Sequence, residues 1–198
     1  MVGEPEGMRL GAFAFAAFCA AAASAQNLAV EGSCRDGLPH GAFELKSAGG
    51  QVRVVGAFSK GRRTGSFLFW SSAGVRIAQL PYDDDVLSGT LALWYAMPGR
   101  GGEPVRKLEA VYAHGRLSGL KRSWYPDGRL RAEFRYDQGA LASARAFTEA
   151  GEAMPDADAR AMAVRDLRTD DAYFASLDAT VRANLPRCEP ATDRLEKG

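Results

Sequence analysis

This 198-residue sequence has few histidines and cysteines, two and three respectively. It also has no large excess of either charge sign, since its formal net charge is +1. With 25 basic and 24 acidic residues, no surplus of positive charge points to nucleic acid as a partner. The sequence contains no Cys-x-x-Cys, His-x-x-x-His or Gly-x-Ser-x-Gly motif. We therefore expect no catalytic residue, metal ligand or cofactor, and we predict a protein that is not an enzyme. An enzyme whose site lies between the C-terminal helices and the sheet is the alternative.

A few residues have the right chemistry for a ligand site but the wrong surroundings. His40 and His114 each precede a glycine of the repeat described below, which favours turn positions. The acidic run at residues 83–85 lacks the spaced oxygen ligands of a calcium loop. Residues 99–102, Gly-Arg-Gly-Gly, lack the Lys-Ser/Thr ending of a phosphate loop. We interpret all of them as loop residues.

The one long apolar run lies near the N-terminus, from residue 10 to residue 23, after Met8-Arg9. It is shorter than the ~20 residues that a membrane-spanning helix needs, and Ala23-Ser24-Ala25 has the pattern of a cleavage site. This predicts a signal peptide over residues 1–25, cleaved near Ala25/Gln26, and a periplasmic or secreted protein. An uncleaved membrane anchor and a lipoprotein attached through Cys19 are the alternatives.

Signal removal leaves two cysteines, Cys34 and Cys188, near the two ends of the remaining chain. In an oxidising compartment such a pair predicts a disulfide. The alternative is two unrelated buried thiols.

Glycine is abundant, with 22 residues, and much of it is periodic. In the clearest unit, residues 112–136, glycines follow the leading aromatic residue at positions 3, 7 and 16, a tryptophan lies at 12 and the next aromatic at 24. The same template fits from Phe58 and, less completely, from Cys34, Tyr82 and Tyr136. About five units with a period of 24 are predicted, with an insertion after Trp94.

Each unit has the pattern of a β-hairpin. Residues 130–136 alternate between apolar and charged side chains, and Pro126-Asp127-Gly128 is a turn signal before them. We therefore predict a mainly β fold, in which stacked hairpins of residues 26–151 form an elongated antiparallel sheet. We expect one aromatic repeat core, with a binding platform as the alternative role; its members are Phe58, Trp70, Tyr82, Trp94, Tyr112, Trp124 and Tyr136.

The motif Tyr-x-x-Gly-x-x-x-Gly-x-x-x-x-Trp-Tyr-Pro-Asp-Gly at residues 112–128 resembles the MORN repeat, in particular its bacterial variant form. The resemblance covers residues 34–151, and Asp85 and Ser143 depart from it where glycine belongs. It implies a stack of hairpins that binds proteins or membranes without catalysis. Some bacterial relatives carry an antitoxin-type label, but the motif itself does not supply that role.

Composition changes after Gly151 and Pro155, and residues 152–198 have helical spacing of apolar residues. We predict a pair of α-helices, residues 156–168 and 170–185, with the second starting at Asp170-Asp171. Packing across one sheet face would bring Cys188 to Cys34. An end cap on the last hairpin is the alternative.

The absence of a catalytic set, together with predicted export, favours a protein-binding or scaffolding role in the cell envelope. The partner protein is not identified by the sequence. A membrane-surface role on anionic lipid is the alternative, and an antitoxin or immunity-like role is a further one. For the lipid role we expect a basic binding edge formed by Arg62, Arg63, Lys121 and Arg122.

Overall fold

A computed structural model, which describes residues 28–99 and 101–189, contains one antiparallel sheet and one α-helix. In chain order the elements are β1 (Ala29–Arg35), β2 (Leu38–Lys46), β3 (Val52–Ser59), β4 (Arg62–Trp70), β5 (Arg76–Asp83), β6 (Val86–Leu87), β7 (Gly89–Pro98), β8 (Pro104–Ala113), β9 (Arg116–Trp124), β10 (Leu130–Asp137), β11 (Ala140–Ala146) and α1 (Asp156–Arg182). The strands follow one another across an open sheet, and both β6 and β7 pair with β5. The predicted mainly β fold is confirmed. The predicted signal peptide and Cys19 lie outside the described residues.

Each hairpin reverses through two residues that both have positive φ, as a type I′ turn requires. The five pairs are Asp36-Gly37, Lys60-Gly61, Asp84-Asp85, His114-Gly115 and Gln138-Gly139. Asp85 replaces the usual glycine at a φ of 71°. Its Oδ1 accepts hydrogen bonds from the backbone N–H and Nε of Arg63, at 3.0 and 2.7 Å, which favours this departure from the repeat.

The other ends of the strands are joined by five-residue turns with one hydrogen-bonding pattern. In residues 71–75 the Ser71 N–H donates to the Val75 carbonyl and the Gly74 N–H donates to the Ser71 carbonyl, at 2.8 and 3.0 Å. Residues 47–51, 99–103, 125–129 and 148–152 repeat this pattern. The insertion after Trp94 lengthens β7 and β8, so the 99–103 turn extends beyond its neighbours by roughly three residues, or ~10 Å.

The C-terminal segment forms one continuous 27-residue helix, where the sequence predicted two. Residues 168–171 contain no proline or glycine to break the helix, and Asp170 pairs with the sheet instead of capping a second helix. At ~1.5 Å per residue α1 is about 40 Å long, close to the ~43 Å spanned by ten strands. It therefore crosses the whole sheet.

The helix runs over one sheet face from β11 to β1. Near its end the Pro186 ring packs on Gly32, and Cys188 forms a disulfide with Cys34, with 5.6 Å between their Cα atoms. Both the face-packing arrangement and the disulfide were predicted. We name the sheet surface beneath α1 the covered face and the opposite surface the open face.

Leading aromatic residues of the repeat lie in the core of the covered face. Phe43, Phe58, Phe67 and Tyr82 form a chain of ring contacts in which the Phe58–Phe67 and Phe67–Tyr82 rings meet edge to face. Tyr112 meets Phe174 of the helix in the same way. The helix contributes its buried side chains to this cluster: Ala159, Met162, Ala163, Phe174, Leu177 and Val181.

The three tryptophans are not part of that core, which corrects the predicted single aromatic interior. Phe67 and Phe69 of β4 are buried under the helix, so Trp70 points to the open face. The same alternation places Trp94 after buried Leu93, and Trp124 after buried Ser123, on the open face. Trp70 and Trp124 are half-buried, and Trp94 is buried outside the core cluster.

Candidate functional site

The covered face is closed by ion pairs between the sheet and α1. Their three carboxylates lie four or eight residues apart, on one side of the helix. The pairs are Arg63–Asp178, Lys121–Asp170 and Arg131–Asp166. Because the cations come from β4, β9 and the start of β10, the pairs fasten the helix at separate points along its length.

Lys121 and Asp170 form the most deeply buried of these pairs. Lys121 is only 2% exposed, and its Nζ lies 2.5 Å from Asp170 Oδ2. Each of these two atoms has only the other as a partner among the described residues. Burial raises the pKa of Asp170, and the neighbouring ammonium of Lys121 opposes that shift. The pair thus holds opposite charges away from water with no second hydrogen bond to support them.

A cavity of about 180 Å³ lies beside this pair, between helix and sheet. Arg131 occupies one wall and bonds Asp166 through two nitrogens, at 2.5 and 3.0 Å, and Ser123 at 3.3 Å. Tyr95 forms another part of the wall and donates its hydroxyl to the Trp124 carbonyl at 2.7 Å. The ionic groups here are engaged in holding the helix on the sheet.

The predicted basic edge is corrected by these contacts. Arg63 and Lys121 are buried under the helix in ion pairs. Arg62 lies at an exposed turn, 2.8 Å from Asp84, and Arg122 lies on the open face, 2.8 Å from Glu133. The four cations point in different directions because neighbours in sequence along a strand face opposite sides of the sheet. They form no common surface.

The two histidines occupy separate turns. His40 accepts a hydrogen bond at Nδ1 from the Lys60 backbone N–H at 3.3 Å, and His114 is a type I′ turn residue. Among residues 28–99 and 101–189, no group of three or more His, Cys, Asp or Glu side chains is arranged to hold a metal ion. Within the same ranges no helix has the length and apolar character needed to cross a membrane.

The open face carries a row in which three indoles alternate with two guanidinium groups and one leucine. Strand pairing places Trp70 opposite Arg76, Trp94 opposite Arg106, and Trp124 opposite Leu130. We name these six residues the Trp–Arg row. From β4 to β10 it crosses five strand spacings, or ~24 Å.

A recurring β-bulge keeps this row in register. One extra residue lies between the covered-face and open-face pairs at Arg53, Ile77, Lys107 and Arg131, at intervals of 24, 30 and 24 residues. The bulge lets Arg76 face Trp70 although Ala78, two residues later, faces the covered side. The sequence analysis did not predict this bulge, because it considered only the strict alternation of apolar and polar residues along each strand.

Two grooves flank the extended 99–103 turn, which joins β7 and β8, the two middle strands of the Trp–Arg row. One, of about 770 Å³, lies between this turn and residues 126–128, and its charged groups are Glu103, Arg106 and Asp127. The other, of about 400 Å³, lies between this turn and residues 74–76, with Trp70 and Pro104 in its walls. This arrangement provides two concave sites beside the strands of the row.

The Trp–Arg row and these two grooves are the candidate binding surface. Compared with models of known protein families and with the curated proteins, the chain matches none.

Proposed function

We propose that this chain is an exported, non-catalytic binding protein of the cell envelope, built from MORN-like hairpins, whose open face receives a partner protein. The observation that carries the proposal is that one face of the sheet is covered by α1 and the other is not. The helix, a disulfide and three ion pairs close the covered face, whereas the open face presents tryptophan and arginine. Tryptophan and arginine are the residue types that dominate the energetics of protein interfaces.

The size of the open face agrees with this role. Ten strands of about eight residues give roughly 43 by 26 Å, or about 1,100 Å² of flat surface. A standard interface buries ~800 Å² on each partner, so the open face has room for one.

Export is supported by the Cys34–Cys188 disulfide, since such bonds persist in oxidising compartments. The N-terminal apolar run and its Ala-Ser-Ala motif support a signal peptide cleaved near Ala25. We include both in the proposal.

In vivo photocrosslinking tests the docking face. A photoreactive amino acid is placed at Ser66 or Thr90, which are exposed on the open face, and as the matched control at Val164, which is exposed on the helix. We expect a discrete protein adduct from the two sheet positions and none from the helix position. Adducts from Val164 alone, or from no position in the native host, would count against the proposal.

An anionic membrane surface is the competing partner, and sedimentation with phosphatidylglycerol vesicles distinguishes it. The four cations first considered for that role are paired with carboxylates. We therefore expect no charge-dependent cosedimentation. Binding that rises with the phosphatidylglycerol content would favour the lipid alternative.

A further inference from the structure

Two arginines of the open face stack on the same indole, yet only one of them has a carboxylate partner. The guanidinium carbons of Arg76 and Arg106 lie 4.2 and 4.9 Å from the Trp94 ring centroid. Arg106 also donates to Glu109 at 2.7 Å. Among the described residues Arg76 has no acidic partner, and its guanidinium stacks on the ring.

The surroundings of Arg76 form a site of defined chemistry. It lines the groove of about 400 Å³ together with Trp70, Val75 and Pro104. Stacking on Trp94 restricts the orientation of the guanidinium. The Arg76 side chain therefore loses less conformational entropy when it binds a ligand. The groove therefore combines apolar walls with one oriented cation.

The neighbouring groove lacks this combination. Its cation, Arg106, is bonded to Glu109, and Glu103 and Asp127 also line it. A carboxylate entering there would meet two like charges, whereas a carboxylate beside Arg76 would meet an uncompensated positive charge.

We infer that the groove at Arg76 binds an extended segment of the partner protein that carries Asp or Glu beside an apolar residue. Arg76 is the carboxylate receptor, and Trp70 with Pro104 contacts the apolar side chain. Planar pairing of guanidinium and carboxylate gives orientation as well as affinity. This inference rests on the proposed function, for which it specifies the chemistry of the partner.

Selection from a random peptide library displayed on phage tests the inference on the exported protein. Enriched peptides are synthesised with blocked termini, so that any carboxylate comes from a side chain, and titrated by fluorescence anisotropy. We expect enriched peptides to contain Asp or Glu next to an apolar residue. Changing that acid to its amide, or Arg76→Gln in the protein, should weaken binding about tenfold or more.

Arg122→Gln is the matched control because Arg122 also lies on the open face but outside the Trp–Arg row and both grooves. We expect it to change affinity less than about threefold, since Arg122 is already bonded to Glu133. Arg76→Lys keeps the charge but loses the fork, so its affinity should be intermediate. Equal urea midpoints for the two Gln variants separate binding from folding.

Three outcomes would overturn the inference: no enriched peptide, enriched peptides whose affinity does not depend on a carboxylate, or equal affinity for Arg76→Gln and wild type. None of these affects the crosslinking result at Ser66 and Thr90, which reports docking of any protein on the open face. Failure of the inference and failure of the proposed function are thus read separately.

Discussion

The two faces of the sheet are built from the same hairpins but differ in how they treat charge and aromatic rings. On the covered face Phe and Tyr rings interlock beneath the helix, and cations are buried with carboxylates of α1. On the open face the Trp94 indole lies under the guanidinium groups of Arg76 and Arg106. The difference teaches that one face is organised to hold the chain together and that the other is left uncovered by the helix. Substitutions on the two faces should therefore have different consequences.

Removing the disulfide should have the largest effect on stability. It closes a separation of 154 residues, for which the chain-entropy model gives about 5 kcal/mol as an upper limit. We expect Cys34→Ser with Cys188→Ser to lower the free energy of unfolding by up to that amount in urea titrations. Hydrogen exchange should accelerate first at the end of α1. An unchanged urea midpoint would mean that the helix is held without the bond.

The substitution Asp170→Ala should have the next largest effect on stability. It leaves the buried Lys121 ammonium unpaired, which we expect to cost about 3–5 kcal/mol of unfolding free energy. The double variant Lys121→Met with Asp170→Leu, which replaces both charges by apolar groups, should recover most of that loss. Equal destabilisation by the single and double variants would show that apolar packing cannot replace the pair.

Truncation of one ring on each face compares the two surfaces directly. Phe67 is fully buried at the centre of the covered core, so Phe67→Ala should cost about 3–5 kcal/mol. Trp70, three residues away on the open face, is half-buried, and we expect Trp70→Ala to cost less than half as much despite the larger ring. Urea denaturation of both variants measures the difference. Similar losses would contradict the assignment of Trp70 to a binding role.

The smallest expected effect is a change in stability at alkaline pH, which arises from a tyrosine on the covered face. Burial raises the pKa of Tyr136 to about 12, whereas an unfolded tyrosine titrates near ~10. The folded protein thus keeps a proton that the unfolded chain loses, and this contribution to stability is full below pH ~10 and falls toward about 12. Tyr136→Phe should flatten the decline in urea midpoint between those pH values. Parallel wild-type and variant curves would contradict it.

Much of the fold was readable because the repeat is local. Turn glycines such as Gly115 and Gly139 need positive φ, and their spacing predicted the hairpins and their period. The disulfide followed from the count of cysteines outside the predicted signal peptide. The single helix did not, since Asp170 was interpreted as a helix start when it is instead a buried partner of Lys121.

Assignment of the tryptophans to a face was available in the sequence but was missed. Phe58 pairs with Arg63 across the two-residue turn, and Trp70 lies seven residues beyond Arg63, an odd number. Odd spacing along a strand means opposite faces, so the two aromatic slots were never on one side. The same reasoning predicts that Arg62 and Arg63, as neighbours along one strand, face opposite sides of the sheet.

The sequence by itself determined the hairpin period, the turn positions, the helical character of the C-terminal segment and the pairing of Cys34 with Cys188, because each depends on local backbone preference or on counting. Only the tertiary structure decided which charges are buried, that one helix crosses the whole sheet, and that Arg76 has no carboxylate partner among the described residues while Arg106 has one. Those features arise between residues far apart in the chain. They depend on strand register, β-bulges and the path of the helix, which local backbone preference does not determine.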